Sequence, residues 1–290
     1  AAYHPPLTLK KLGVVELTVN PDFTVSVKQG DLVMPPTPLP EGQIHEGPDT
    51  IVNGIIQCTT DYSEKKIHGF TVMSCPTVTQ DIFDGLNEDL HFIATNIPPA
   101  ALKVLQSFKL FFNTKIRFGP VADVENLGGA VFHPSAGWLD ANGNCGEMKE
   151  KCVEFYKTDE YLPRRTHLGN IKNNSAWEIV HELSHGYHLV THGWNNGEIL
   201  DCYDRAMASG KYDSVPHVQG MKAKAYAANN QMEYFASLCA AYWCENDWYP
   251  FNRQDLKEFD PEAYTLVEKY YYMSKEELIQ MNPELKKLWS

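Results

Sequence analysis

Residues 173–193 read "NNSAWEIVHELSHGYHLVTHG", a stretch holding four histidines and two glutamates at spacings that predict a single helix. Ser175-Ala176-Trp177-Glu178 has the form of a capping box, so the helix is expected to open at Ala176. His192-Gly193 is a natural stop, because glycine takes the left-handed backbone that ends helices. Between them lies His181-Glu182-Leu183-Ser184-His185. Residues four apart share a helix face with Cβ atoms about 5–6 Å apart, so both imidazoles can reach one metal ion. With bonds of roughly 2.0–2.1 Å to nitrogen, that geometry suits zinc. Glu182 is rotated off the pair, where it can meet a water on the ion. The alternative is an amphipathic helix whose histidines make ordinary hydrogen bonds.

His188 follows His181 by two turns, about 10 Å along the axis, and cannot share a small ion with it. His192 is expected at the helix C-terminus, interacting with the dipole. A third ligand must come from elsewhere. In "AYAANNQMEYFASLCAAYWC" Asn229-Asn230 reads as an N-cap, with Glu233 in the first turn of an apolar helix. A carboxylate there also has a plain reading as a partner of the helix N-terminus. The helix upstream still lacks a third donor, which favours Glu233 as ligand. His217, on a proline-flanked loop, is the rival.

"HELSH", then Tyr226 and Glu233 within "AYAANNQMEYFAS", resembles the gluzincin metallopeptidases, in the branch of the anthrax lethal factor catalytic domain. The likeness spans roughly residues 77–250 in order and spacing, and rests on motifs covering a small part of them. It implies an α+β zincin-like fold, one zinc per chain held by His181, His185 and Glu233, and Glu182 as general base. It also implies a catalytic role for Tyr226, seven residues before the ligand glutamate. Ser237 departs from the family, whose members often carry an acidic residue one turn after that glutamate.

The formal charge of −12 leaves no basic face for nucleic acid or an anionic membrane surface. No apolar run is long enough to span a bilayer. An apolar fraction of 43% in 290 residues is ample for a packed core. Seven cysteines, a start at Ala1 and the sequon Asn173-Asn174-Ser175 agree with a secreted, extracellular protein. Cys58 with Cys75, and Cys145 with Cys152, are the pairs whose spacing permits a disulfide.

"VVELTV" and "FTVSVK" alternate as strands, "PPTPLPEG" is a stiff connector, and "IVNGIIQC" and "KIHGFTVMSC" are two further strands around a polar turn. Residues 1–75 therefore form a β-rich N-terminal unit and residues 76–290 the zincin-like domain. "FKLFFN", "GGAVFHP" and "CVEFYKT" are its strands, succeeded by helices. A protein or peptide substrate would bind as an extended strand, with "GGAVFHP" the expected edge and His133 a surface residue on it. Asp201 and Asp204 could orient a zinc-bound imidazole from behind, or pair with neighbours such as Arg205. The reading is a secreted zinc endopeptidase. Its rival is a catalytically inactive zinc-containing binding or matrix protein on the same scaffold.

Overall fold

The computed structural model describes residues 62–113, 129–141, 146–156, 158–166 and 176–290, with six short strands between residues 15 and 57. The chain divides into two units, Ala1–Thr60 and Asp61–Ser290. In the first, β1 (Val15–Val19) pairs antiparallel with β2 (Thr24–Gln29), and β2 also carries β3 (Leu32–Val33) and β4 (Thr37–Pro38). β5 (Thr50–Val52) and β6 (Ile55–Gln57) make a separate hairpin.

The second unit is mixed α+β around a five-stranded sheet of order β10-β11-β9-β8-β7. β7 (Ser63–Ile67) and β8 (Phe70–Ser74) form a hairpin, and β8 continues parallel to β9 (Lys109–Phe112). This corrects two expectations. The boundary falls at residue 60, not 75, because β8 is a sheet strand of the second unit. The two strands expected to flank one polar turn are instead two antiparallel pairs, β5 with β6 and β7 with β8. Val52 pairs with Ile55, and Ile67 with Phe70 across His68-Gly69. His68 and Gly69 both have positive φ, the backbone that matches a tight turn to the twist of its strands.

β10 (Ala130–His133) pairs antiparallel with β11 (Cys152–Phe155), and β11 runs parallel to β9. Among the described residues β10 is a sheet edge, as expected. Every residue of β11 is buried, so both sheet faces are covered. On one face Phe70, Val72, Leu110, Phe112, Phe132, Val153 and Phe155 join the main apolar core. It includes residues from α1 (Gln80–Asn96) and α2 (Pro99–Leu105). The other face holds a closed polar knot. Glu154 accepts from Lys149 at 2.7 Å and Asn113 at 2.5 Å and bonds His133 at 2.7 Å, and Asn113 accepts from Tyr62. Lys149 ends α4 (Gly146–Lys149), after α3 (Ala136–Ala141). Burial raises the pKa of the Glu154 carboxyl, yet Lys149 and His133 hold it down to about 2. His133 is therefore a fully buried partner of a carboxylate, not a surface residue.

Neither expected disulfide is supported. Cys75 and Cys152 are free and buried, as are Cys202, Cys239 and Cys244; Cys58 and Cys145 lie outside the described residues. Cys75 continues the sheet, its N–H donating to Phe112 O, and its thiol meets Thr77 Oγ1 at 3.0 Å.

Beyond α5 (Thr158–Thr166) the chain is mostly helical: α6 (Trp177–Tyr187), α7 (Gly197–Ala208), α8 (Gln231–Trp243), α9 (Arg253–Phe259), α10 (Pro261–Tyr271) and α11 (Lys275–Met281). Asp260 caps α10, and Ser274 with Glu277 forms the capping box read from the sequence. α6 lies against α8 and touches β10, β11 and α2. Gly186 makes that approach possible: a Cβ there would lie 2.8 Å from the rings of both Phe108 and Phe132. Those rings are themselves packed edge to face, so they have little room to yield. Gly186→Ala is expected to lower unfolding free energy by about 1–3 kcal/mol in a urea titration.

Candidate metal centre

α6 starts one residue later than expected, with Ala176 as its N-cap and no side-chain cap bond. Ser175 lies outside the described residues. Glu178 does not turn back to cap the helix; Arg164 on α5 binds its Oε1 at 2.5 Å through Nη2. The helix then buries Ile179, Val180 and Leu183 in the core, while His181 and His185 project together from another face.

α8 supplies the third group. Asn230 caps it by accepting from the N–H groups of Met232 and Glu233, each at 2.9 Å. That cap fixes Glu233 in the first turn, where its side chain crosses to α6. Glu233 Oε2 lies 3.1 Å from His181 Nε2 and 3.3 Å from His185 Nε2, and the two Nε2 atoms are 3.2 Å apart. Three donors on a tetrahedral centre with bonds of about 2.0–2.1 Å are about 3.3–3.4 Å apart. The triangle therefore has the size a small divalent ion requires. Two imidazoles and one carboxylate are also a donor set that suits zinc. Among the described residues, this is the group of three or more histidine, cysteine or acidic side chains placed to hold a metal.

The electrostatics follow from the contacts. Burial opposes the charged form of Glu233, but hydrogen bonds from His181 and His185 win and hold its carboxyl well below the usual range. Burial disfavours the His181 cation, and Glu233 together with Glu182 outweighs it, raising its pKa. Tyr226 opens a 3-10 turn, Tyr226–Ala228, that leads into α8. Its ring centre is 6.1 Å from that of His181, and the residue is 47% exposed. Desolvation, then Glu233 and Glu182, raise its pKa, so the hydroxyl keeps its proton at neutral pH and can donate it in a hydrogen bond.

His181, His185, Glu233 and Tyr226 are thus brought together, with Glu182 on the same helix. Other sequence candidates are not. His217 Nδ1 accepts from Gln219 N and its Nε2 lies 3.6 Å from Asp247, and it is not one of the three side chains that converge. Asp201 and Asp204 are both exposed on α7, and Arg205 pairs with Glu262, so no support of a metal-bound imidazole comes from them. Ser237 is buried one turn after Glu233.

The last turn departs from expectation. α6 passes into a π-helical turn, His188–His192, before Gly193 ends it with φ of 75°. His192 does not face a dipole as a cation: it stacks on Tyr270 at 3.9 Å. His188 is enclosed between Trp194 and Phe235. None of the four ring nitrogens has a hydrogen-bond partner among the described residues, and burial pushes both pKa values down to about 3.

Sequence reasoning also misses the Arg164–Glu178 pair beside Gly129. Its only signal is a glutamate one turn before Glu182. No protein-family model matches this chain, and neither does any curated protein or solved structure.

Proposed function

We propose that this protein is a zinc-dependent endopeptidase of the gluzincin type, with a zincin-like catalytic domain, acting outside the cell on protein or peptide substrates. The observation that carries the reading is the 3.1–3.3 Å triangle of His181, His185 and Glu233, drawn from two helices and sized for one ion. Bound there, zinc would polarise a carbonyl and lower the pKa of a water from 15.7 towards about 7.

The chain's own groups supply the rest. Glu182 accepts a proton from the attacking water and delivers it to the departing amine nitrogen. The protonated Tyr226 hydroxyl donates to the oxygen that gains charge as the carbonyl carbon becomes tetrahedral. Its partial exposure keeps it within reach of a bound chain. β10 offers the strand edge on which an extended peptide pairs. Tyr156 N donates to Gly129 O, so Gly129 and Val131 use their backbone groups on β11 while Ala130 and Phe132 turn theirs outward.

Purified protein is expected to carry close to one zinc per chain by elemental analysis. It should cleave a quenched-fluorescence peptide library, and a chelator should stop that cleavage reversibly. Zinc bound without chelator-sensitive cleavage would favour the non-catalytic binding protein. No zinc at all would remove both readings.

A further inference from the structure

If the protein is a peptidase, the surroundings of β10 also define a feature of its substrate. Two close approaches fix how β10 lies against α6. A Cβ on Gly129 would be 2.8 Å from Glu178 Oε1, and one on Gly186 would be 2.8 Å from the Phe132 ring. Three strand residues cover about 10 Å and eight helical residues about 12 Å. Strand and helix therefore run side by side in the same direction, with His181 and Glu182 level with Ala130 and Val131.

A peptide added antiparallel to β10 then has a defined polarity. Its N-terminal side lies toward Phe132 and Gly186, and its C-terminal side toward Gly129 and Glu178. Glu178 precedes Glu182 by one turn, about 6 Å, which is one to two residues of extended chain. At that level sits Arg164. A Cβ on Gly129 would be 2.7 Å from its Nε, so the guanidinium lies directly against the strand. Glu178 engages Nη2, and Nε is buried against the strand without a partner among the described residues, so with the side chain 32% exposed the donors left for a ligand are those at the Nη end. A guanidinium has five donors, and one carboxylate does not exhaust them. Burial opposes its charge, and Glu178, with smaller contributions from Glu160 and Asp247, outweighs that and raises its pKa.

We propose that Arg164 is a specificity residue that binds a carboxylate carried by the substrate one or two residues beyond the scissile bond, on the leaving-amine side. Two sources have that chemistry: the free C-terminus of a short peptide, or an aspartate or glutamate side chain within a longer one. Glycine at 129 is what lets the guanidinium lie against the strand, since a side chain there would displace it.

The test uses zinc-loaded Glu182→Gln protein, so that binding is read without turnover. Three series of short mixed-sequence peptides are presented: free acids, C-terminal amides, and amides with an internal glutamate. Affinity selection read by mass spectrometry should enrich one or both carboxylate-bearing series about tenfold or more over plain amides. Enrichment of free acids alone marks the C-terminus as the source, and enrichment of the glutamate series marks the side chain. Adding Arg164→Gln should erase the preference, and Arg164→Lys should restore part of it. Because Arg164→Gln leaves Glu178 buried beside a neutral group, Arg164→Gln with Glu178→Gln is the paired control, checked by zinc content. Equal retention of all three series, retention of none, or a preference that survives both Arg164→Gln proteins overturns the proposal. Failure of the native protein to hydrolyse any series overturns the peptidase reading instead, since the selection does not depend on cleavage.

Discussion

Glu182→Gln should keep close to one zinc per chain and lose peptide hydrolysis by about 10²–10⁴-fold in kcat. The amide retains the shape of the side chain and its place on α6, but cannot accept a proton from water at neutral pH. His181, His185 and Glu233 are untouched, so metal content is the internal control. His181→Ala should behave differently: it removes a corner of the triangle, and zinc and hydrolysis should fall together. Stopped-assay rates with elemental analysis on both variants decide the matter. Hydrolysis retained in Glu182→Gln would sink the assigned mechanism, whatever the metal content.

Acid should unfold this protein early, and His188 and His192 are the reason. Both are depressed to about 3 in the folded state against an ordinary 6.5. Above pH 6.5 both are neutral whether the chain is folded or not, so they impose no proton penalty. As pH falls from 6.5 toward 3, the unfolded chain takes up protons that the folded one refuses. Each histidine then removes about 1.4 kcal/mol per pH unit once well below 6.5. Two of them cost about 4 kcal/mol by pH 5, a large part of a typical 5–15 kcal/mol. Urea midpoints at pH 7.5 and pH 5 should differ strongly in the native protein. The difference should shrink in the double variant His188→Leu, His192→Phe, which has the same metal ligands. A double variant as acid-sensitive as the native chain would show that the loss comes from elsewhere, the metal site included.

The helix that carries His181 and His185 is legible in the sequence because its information is local. Histidines four apart must share a face, and Asn230 must cap the helix that begins at Gln231. Glu233 needs more, since its meeting with α6 depends on how two helices distant in the chain pack. The hidden part is tertiary. His133, His188 and His192 look like surface or helix-end groups by type, and only the closed sheet face and the aromatic wall around the π turn bury them. Glu178 fits a local capping pattern, but Arg164 offers a stronger charged partner from another helix. The Asn53-Gly54 and His68-Gly69 steps carry the hairpin signal, yet they sit inside runs of alternating residues that read as unbroken strands.

The brevity of β10 has a bearing on solubility. An unpaired margin of a sheet is an invitation to any passing backbone, a sister molecule's included. Only four residues long, with α6 alongside, it offers too few ladder bonds to hold a neighbour by backbone pairing alone. Among the described residues β10 is the margin of its sheet, and whatever stays there must gain something further from the groups beneath it, which discourages self-assembly.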